Sequence, residues 1–371
     1  MPEIFTVSNI KTQMPFDPNQ LQWSAQMPQQ SLPIIIVGAG GIVRDAHLPA
    51  YKLAGFKVYA IVDKDVEKAT VLAFEYTIPN VYSSVDEAII HAPENCVYDL
   101  ALPASAHLEV IAKLPQKSIV LMQKPMGDDL TQGEEILKLC RKKSLTAAVN
   151  FQLRYAPFML AAKDMIRKGW IGDLCDVEFN INVFTPWHLW KFLEKLPRVE
   201  IPYHSIHYMD FVRSILGNPK DILAKTTKHP SSPRLASVRS DIIMDYGDSI
   251  RAVIHTNHNH NYGPRHQNSF VKFEGTRGAI KIQLGLLMDY PKGLPDKFEY
   301  IILEDGADSD WLEVPFSGSW FPHAFIGSMA QLMCYAEGSS QTLDNNVEDV
   351  IWTMRCVEQA YCDRGVAKFL Q

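Results

Sequence analysis

The sequence predicts two domains: a doubly wound parallel α/β domain, then an α+β domain with a large, mainly antiparallel open sheet. Length, a change of hydrophobic period near residue 150 and a glycine turn after the first strand support this prediction. The 371 residues exceed what one compact domain usually holds, and 47% apolar with 21% charged residues is an ordinary globular composition. We therefore expect an arm over residues 1–32, a first domain over 33–152 and a second domain over 153–371.

Short apolar runs alternate with amphipathic stretches in the first half, which is typical of parallel strands joined by crossover helices. The predicted strands are Ile34–Val37, Lys57–Val62, Tyr98–Leu102, Ile119–Met122 and Thr146–Val149. The predicted helices are Asp65–Phe74, Ser84–His91, Ala106–Leu114 and Leu130–Lys143.

After residue 150 the apolar positions recur every second residue, as in a half-exposed antiparallel sheet. The predicted strands are Asp176–Val183, Asp241–Tyr246, Ile250–Asn257, Ser269–Phe273 and Ala279–Leu284. Four predicted helices are expected to cover the other face of this sheet: Pro157–Lys168, Tyr203–Leu216, Ala324–Glu337 and Val347–Arg364.

Charge and composition exclude several classes of partner. The formal net charge is -6 and no basic stripe is present, so we expect no nucleic-acid partner. No apolar run approaches the roughly 20 residues that span a bilayer, and residues 1–32 lack a secretory signal, so we expect no membrane association. Six cysteines without a C-x-x-C pair indicate reduced thiols and a cytoplasmic protein. The proline-rich arm either docks on a neighbouring subunit or is loosely ordered.

The glycine turn Gly38-Ala39-Gly40-Gly41-Ile42 follows a buried strand and opens a helix, and Asp63 ends the next predicted strand. In that context a G-x-G turn predicts a Rossmann dinucleotide site, with the pyrophosphate held on backbone N–H groups at the helix N-terminus. Val43 replaces the third glycine, so helix and strand are expected to pack slightly further apart. The alternative is a purely structural turn.

Asp63 favours NAD as the cofactor. Its carboxylate would accept hydrogen bonds from the ribose hydroxyls and repel a 2'-phosphate. Lys64 and Lys68 could instead pair with that phosphate, so NADP stays open.

Several further motifs occur in order: Pro103 to His107, Met122-Gln123-Lys124-Pro125, Asn150 to Pro157, Tyr203 to Asp210, and Phe273 to Gly278. With the glycine turn, they resemble the Gfo/Idh/MocA oxidoreductases, which include glucose-fructose oxidoreductase and inositol dehydrogenase. The resemblance covers nearly the whole chain after the arm. It implies that Pro103, His107, Gln123 and Lys124 contribute to the cofactor site.

The resemblance also implies the catalytic pair. The lysine of the family's E-K-P signature falls on Lys124, and the histidine of its D-x-x-x-H-x-x-D helix falls on His207. Two departures are present, because Gln123 replaces the glutamate and Tyr203 stands where an aspartate is common. We assign His207 as general base or acid and Lys124 as the partner that polarises the hydroxyl group, with exchanged roles as a variant. A neutral Gln123 would not raise the pKa of Lys124 as a carboxylate would.

The expected substrate contacts are Arg154, Tyr155, Trp187, His188, Tyr203 and His204. Aromatic rings beside hydrogen-bonding groups suit a sugar, although the loop holding Trp187 and His188 could equally pack in the core. Arg154 could bind a carboxylate or hold the domain junction. His204, His207, His258 and His260 match no standard metal signature, so no metal is expected.

The predicted function is an NAD(P)-dependent dehydrogenase acting on a sugar, polyol or sugar derivative, and the family implies a homodimer or homotetramer. One rival is a non-catalytic dinucleotide sensor of the same fold, which Gln123 and Tyr203 motivate. Another is a lyase or glycosidase that oxidises its substrate transiently and retains its cofactor.

Overall fold

A computed structural model of the chain describes residues 17–290, 292–303 and 310–362. The first domain holds a six-stranded parallel sheet in the order β3-β2-β1-β4-β5-β6. Its strands are β1 Ile34–Val37, β2 Val58–Val62, β3 Asn80–Tyr82, β4 Val97–Leu100, β5 Ile119–Gln123 and β6 Thr146–Asn150. The order reverses between β1 and β4, and ligands of such sheets bind at the crevice beyond that point. The predicted Rossmann fold is confirmed; β3, which has only three residues, was not predicted.

Helices cover both faces of this sheet: α1 Leu48–Ala54, α2 Val66–Tyr76, α3 Val85–Ile90, α4 His107–Lys113 and α5 Leu130–Lys143. The aspartates before α2 and α5 cap their helices, since Asp65 and Asp129 accept hydrogen bonds from backbone N–H groups of the first turn. A π-helical turn, Val43–His47, precedes α1. Val43, which stands at the position of the third glycine, is buried in this turn.

The second domain is built on an eight-stranded sheet in the order β14-β13-β12-β11-β7-β10-β9-β8. Its strands are β7 Leu174–Asn182, β8 Asp221–Thr227, β9 Arg239–Asp245, β10 Arg251–Asn257, β11 Asn268–Gly275, β12 Gly278–Gln283, β13 Lys297–Ile302 and β14 Leu312–Glu313. All neighbouring strands are antiparallel except β7 and β10. The predicted α+β domain is confirmed, although β8, β13 and β14 were not predicted.

The remaining helices are α6 Pro157–Arg167, α7 Ile206–Leu216, α8 His323–Glu337 and α9 Val347–Ala360. The core residues of α8 pack with β1 of the first sheet, among them Phe325, Met329 and Met333 beside Ile34 and Ile36. The prediction that this helix covers the second sheet is therefore wrong, because its apolar side chains complete the core of the first domain. The predicted end of α9, from residue 363 onward, lies outside the described residues.

The described part of the arm, residues 17–32, docks on its own chain. The backbone N–H of Gln22 donates to Asp164 on α6, and those of Gln29 and Gln30 donate to Glu337 on α8. Leu21 is buried in the main core. The arm thus links a helix of each domain; residues 1–16 lie outside the described residues. Within the described chain, no helix combines the length and apolar content that crossing a bilayer requires.

Candidate active site

The glycine turn lies at the carboxyl edge of the first sheet and fits a dinucleotide. Gly38 has φ +115°, and a Cβ there would lie 2.5 Å from the carbonyl oxygen of Ala101. A Cβ on Gly40 would meet no atom within 4 Å, so its backbone faces open space. Gly41 and Ile42 continue this surface into the π-helical turn. Backbone N–H groups bordering such a space are the usual seat of a pyrophosphate.

Asp63 follows β2 at the same edge. Its Oδ2 accepts a hydrogen bond from Ala39 N at 2.7 Å, and its Oδ1 accepts one from Asp65 N at 2.8 Å. These bonds fix the carboxylate beside the glycine turn, where a ribose would lie. Lys68 is paired with Asp65 at 2.9 Å.

Gln123 and Lys124 end β5 on the other side of the crevice. The Gln123 side chain is turned inward: its Oε1 accepts from Lys124 N at 2.9 Å, and its Nε2 lies 3.3 Å from Nε2 of His47. The amide therefore ties the Lys124 backbone to a buried histidine. Among the described residues, no carboxylate lies within salt-bridge distance of Lys124.

The Lys124 side chain reaches from the first domain to the second. Its Nζ donates to the carbonyl oxygen of Tyr203 at 2.6 Å and lies 5.9 Å from the centre of the Tyr203 ring. Tyr203 sits in a π-helical turn, Ile201–Ser205, that leads into α7. Burial lowers the pKa of the Lys124 ammonium to about 7.

His207 lies in the first turn of α7 and is buried, with its ring against the edges of Phe151 and Trp320. Burial and the nearby Lys124 lower its pKa well below the usual value, so the imidazole is neutral. Its Nδ1 has no hydrogen-bond partner in the described part of the chain. The Tyr203 carbonyl that Lys124 contacts lies four residues before His207, so the lysine side chain ends near the start of the helix that bears the imidazole.

His204 lies one turn before His207 and joins the same site. Its ring centre is 4.3 Å from that of His258 and 5.1 Å from Trp187. Burial is the first cause that lowers the pKa of His204 well below its usual value. Three neighbouring titratable side chains lower it further: His258, Lys124 and His207.

Four further predicted site residues have the following surroundings. Arg154 is 3% exposed, and its guanidinium is bound by Asp210 and Asp349, so the junction role that the sequence left open is the one observed. Tyr155 donates to Gln331 on α8. His107 is fully buried, and burial, opposed by the Leu100 and Leu102 backbone, lowers its pKa to about 4. His188 is exposed, in the middle of the short turn Trp187–Leu189.

Sequence reasoning considered His258 only as a possible metal ligand, and it missed Glu200, His47 and Asp99, the other buried polar groups near the site. Glu200, His258, His47 and Asp99 are all 0% exposed. Glu200 stands between Val199 and Ile201, shortly before the helix that bears His207. An acidic residue between apolar residues was the one sequence signal that could have indicated a buried carboxylate. His47 and Asp99 are far apart in sequence, so only the fold reveals their pairing.

Metal ligation is not indicated by the described residues, where no group of three or more histidine, cysteine, aspartate or glutamate side chains is placed to hold an ion. His260 is 3.3 Å from Asn182 and packs against Tyr262, away from the His204–His258 contact. All six cysteines are free.

A parallel sheet with a glycine turn, joined at its crevice to a second domain that supplies histidines, is the arrangement found in two-domain nicotinamide-dependent oxidoreductases. Comparisons with known proteins specify it further. Residues 32–151 match the family model of the Gfo/Idh/MocA oxidoreductases with an NAD-binding Rossmann fold, and residues 159–281 match the C-terminal domain of the same family. The chain therefore belongs to the Gfo/Idh/MocA family and has an NAD-binding domain.

Three similar proteins illustrate the range of this family. An uncharacterized protein of Saccharomyces cerevisiae is 29% identical over 67% of this chain and 73% of its own length. D-apiose dehydrogenase of Paraburkholderia graminis is 21% identical over 67% and 66%. A solved structure of levoglucosan dehydrogenase with NADH and levoglucosan has a TM-score of 0.73 at 17% identity and covers 89% of this chain and 96% of that one.

Proposed function

We propose that this chain is an NAD-dependent dehydrogenase that transfers a hydride between a nicotinamide and a hydroxyl-bearing carbon of a sugar, polyol or sugar derivative. Lys124 and His207 handle the hydroxyl proton. One observation carries the proposal: Lys124 Nζ leaves the dinucleotide-binding domain and donates to Tyr203 at the start of the helix that bears His207. The two domains thus share one site.

The chain's part in the reaction is to bind, to orient and to move a proton. NAD, when bound, supplies the hydride chemistry. The backbone at Gly38, Gly40 and Gly41 would hold its pyrophosphate, and Asp63 its ribose. Pro103, exposed after β4, borders the same crevice.

Of the two role assignments left open by the sequence, the surroundings favour Lys124 as the group that gains and loses the proton. Its pKa of about 7 leaves much of the amine neutral near neutral pH, so it can accept a hydroxyl proton. The lowered pKa of His207 keeps that ring neutral, which suits a hydrogen-bond partner of the same oxygen. A positioned base contributes about 10²- to 10⁴-fold in rate.

An aromatic ring beside hydrogen-bonding groups supports a polyhydroxyl substrate. Trp187 packs beside His204 and supplies an apolar face next to the imidazole. A cavity of about 710 Å³ also borders Tyr203, but its lining consists of Asp128, Asp129 and the Arg198–Glu358 ion pair among others and does not include Lys124, His204 or His207. D-apiose dehydrogenase and levoglucosan dehydrogenase, named above, act on sugars or sugar derivatives.

Cofactor choice follows from Asp63. Its carboxylate is fixed at the ribose position, and Lys68 is engaged by Asp65, which leaves Lys64 as the nearer cation for a 2'-phosphate. We therefore favour NAD over NADP.

The outer face of the second sheet supports a homodimer or homotetramer. Leu223 and Ile243 lie opposite each other on β8 and β9, and both are exposed. Apolar side chains in such a row fit a second copy of the chain. Light scattering on Ile243→Lys is expected to give a smaller assembly than the wild type, and an unchanged mass would remove this face as the interface.

The test of the function is NADH formation across a panel of aldoses, polyols and sugar acids, with NAD and NADP supplied separately. We expect turnover with a neutral sugar or polyol and NAD, and its loss in Lys124→Met. Cofactor binding without turnover on any compound would favour the sensor. Product formed from a retained cofactor, with no free NADH, would favour the lyase or glycosidase.

A further inference from the structure

A buried carboxylate and a buried imidazole lie beneath His204. His258 Nε2 is 3.3 Å from Glu200 Oε1, and both side chains are 0% exposed. The Ser205 hydroxyl donates to the same Glu200 oxygen at 2.7 Å. The carboxylate therefore links the strand end that bears His258 to the turn that bears His204.

The backbone around His258 makes this support rigid. His258 follows β10, and its N–H donates to Val238 while its carbonyl accepts from Thr185 N, both at 3.0 Å. The Thr185 hydroxyl lies 2.9 Å from His258 Nδ1. Both ring nitrogens of His258 thus have a fixed neighbour, which sets the orientation of the ring.

His204 lies between the buried Glu200–His258 pair and the candidate active site. The His204 ring packs on His258, with Trp187 5.1 Å from His204 and 5.7 Å from His258. His204 is only partly buried by its neighbours, whereas His258 is fully buried. The charged and titratable groups around His204 are His258 below it, Lys124 across the crevice and His207 on its own helix.

We propose that the Glu200–His258 pair is a positioning unit that fixes the His204 ring in the crevice beside Lys124 and His207, so that His204 contacts the substrate. This inference rests on the proposed dehydrogenase function. Glu200 acts through its ionised form. Burial opposes its ionisation, but the adjacent His258 ring and the hydroxyl groups of Ser240 and Ser205 hold the pKa of Glu200 below the usual value.

The test compares Glu200→Gln with Asp241→Asn. Asp241 is a matched control, because it pairs with His255 at 2.6 Å on the exposed face of the same sheet. Histidine side chains labelled with ¹⁵N are followed by NMR from pH 5 to pH 8 in the full chain without substrate. We expect Glu200→Gln to change the tautomer signals of His258 and the chemical shift of His204, and Asp241→Asn to change those of His255 alone.

Kinetics form the second arm. We expect Glu200→Gln to lower kcat about tenfold to a hundredfold with a much smaller change in KM, because the support of a site group is lost while the binding surface remains. Thr185→Val removes only the hydroxyl beside His258 and serves as the milder variant should Glu200→Gln fail to fold; it is expected to lower kcat in the same direction. A folded variant with unchanged His204 signals and unchanged kcat overturns the proposal. If the chain turns over no compound, the dehydrogenase has failed, and the NMR comparison alone decides whether the pair positions His204.

Discussion

Two buried imidazole–carboxylate pairs lie on opposite sides of Lys124, and they differ in what surrounds them. In the first domain, Asp99 Oδ2 accepts from His47 Nδ1 and from the Tyr51 hydroxyl, both at 2.7 Å. His47 also packs on Phe325 of α8, so this pair is enclosed on all the sides that the structure describes. In the second domain, the longer Glu200–His258 contact has His204 above it, and His204 reaches the crevice.

The two pairs act on different parts of the same lysine. His47 holds the Gln123 amide, which accepts from the Lys124 backbone, so the first pair fixes where the side chain starts. The second pair supports His204, which lies near the end of that side chain. A buried imidazole–carboxylate pair can therefore stabilise the fold or support the site, depending on whether the residue next to it faces the core or the crevice.

The largest effect is expected for Lys124→Met, which removes the group between the two pairs. We expect NADH formation to fall about 10³-fold, because the group that accepts the hydroxyl proton is lost. We also expect the free energy of unfolding to rise by about 1 kcal/mol, because a buried ammonium is replaced by an apolar chain. Chemical denaturation at pH 7 measures this gain.

Lys163→Met is the matched control for that variant. Burial, followed by the charge of Arg154, lowers the pKa of Lys163 to about 8, and its ammonium lies over the Phe211 ring. The turnover of Lys163→Met is expected to equal that of the wild type. Equal losses of activity in both lysine variants would contradict a specific role for Lys124.

Asp99→Asn tests the enclosed pair. We expect the free energy of unfolding to drop by about 3 kcal/mol, because one oxygen that accepts two short hydrogen bonds is replaced in a site without solvent. Turnover of the folded fraction is expected to stay within a few-fold of the wild type, because the Gln123 oxygen that accepts from the Lys124 backbone does not depend on Asp99. The comparison with Glu200→Gln is direct: a variant of Asp99 that folds normally and turns over slowly would show that both pairs serve the site.

Sequence patterns predicted the first domain more completely than the second, and for a physical reason. Parallel strands buried on both faces read as apolar runs such as Ile34–Val37, and the glycine turn and Asp63 are local signals. The edge strand β8, by contrast, alternates weakly between Ile222 and the exposed Leu223. The helix α8 is apolar on most of its surface, so its pattern did not show which sheet it covers.

The candidate site residues also differ in how far sequence patterns could identify them. Lys124 and His207 were predicted through motifs that resemble those of a family, and the structure brings them into one site. Arg154 and His107 occupy motif positions too; Arg154 is bound by Asp210 and Asp349, and His107 is 0% exposed. Glu200 and Asp99 carry no motif, since their partners are brought together only by the tertiary structure.

Gln123→Glu is expected to shift the pH dependence of the reaction. For alcohol oxidation Lys124 must be neutral, so the wild-type rate rises as pH increases through about 7 and then levels. A carboxylate beside Lys124 and His47 favours the ammonium, which raises the Lys124 pKa and moves this midpoint upward by about one pH unit. Gln132→Glu, in the first turn of α5, provides the control and is expected to leave the profile in place. An identical profile for Gln123→Glu would count against the role of the neutral amide.

The smallest effect is expected at Asp63, which follows β2 of the first sheet. Its carboxylate accepts hydrogen bonds from backbone N–H groups, whereas Asp99 and Glu200 contact histidines. Asp63→Asn retains an oxygen for Ala39 N but removes the negative charge that repels a 2'-phosphate. We expect the ratio of kcat/KM for NAD over NADP to fall about tenfold, with Lys64 available to the phosphate. Asp65→Asn, which removes the partner of Lys68 but leaves the Asp63 charge in place, separates the two effects. If Asp65→Asn changes cofactor preference more than Asp63→Asn does, the lysines and not the fixed carboxylate govern the choice, because only the former variant releases a cation toward the phosphate site.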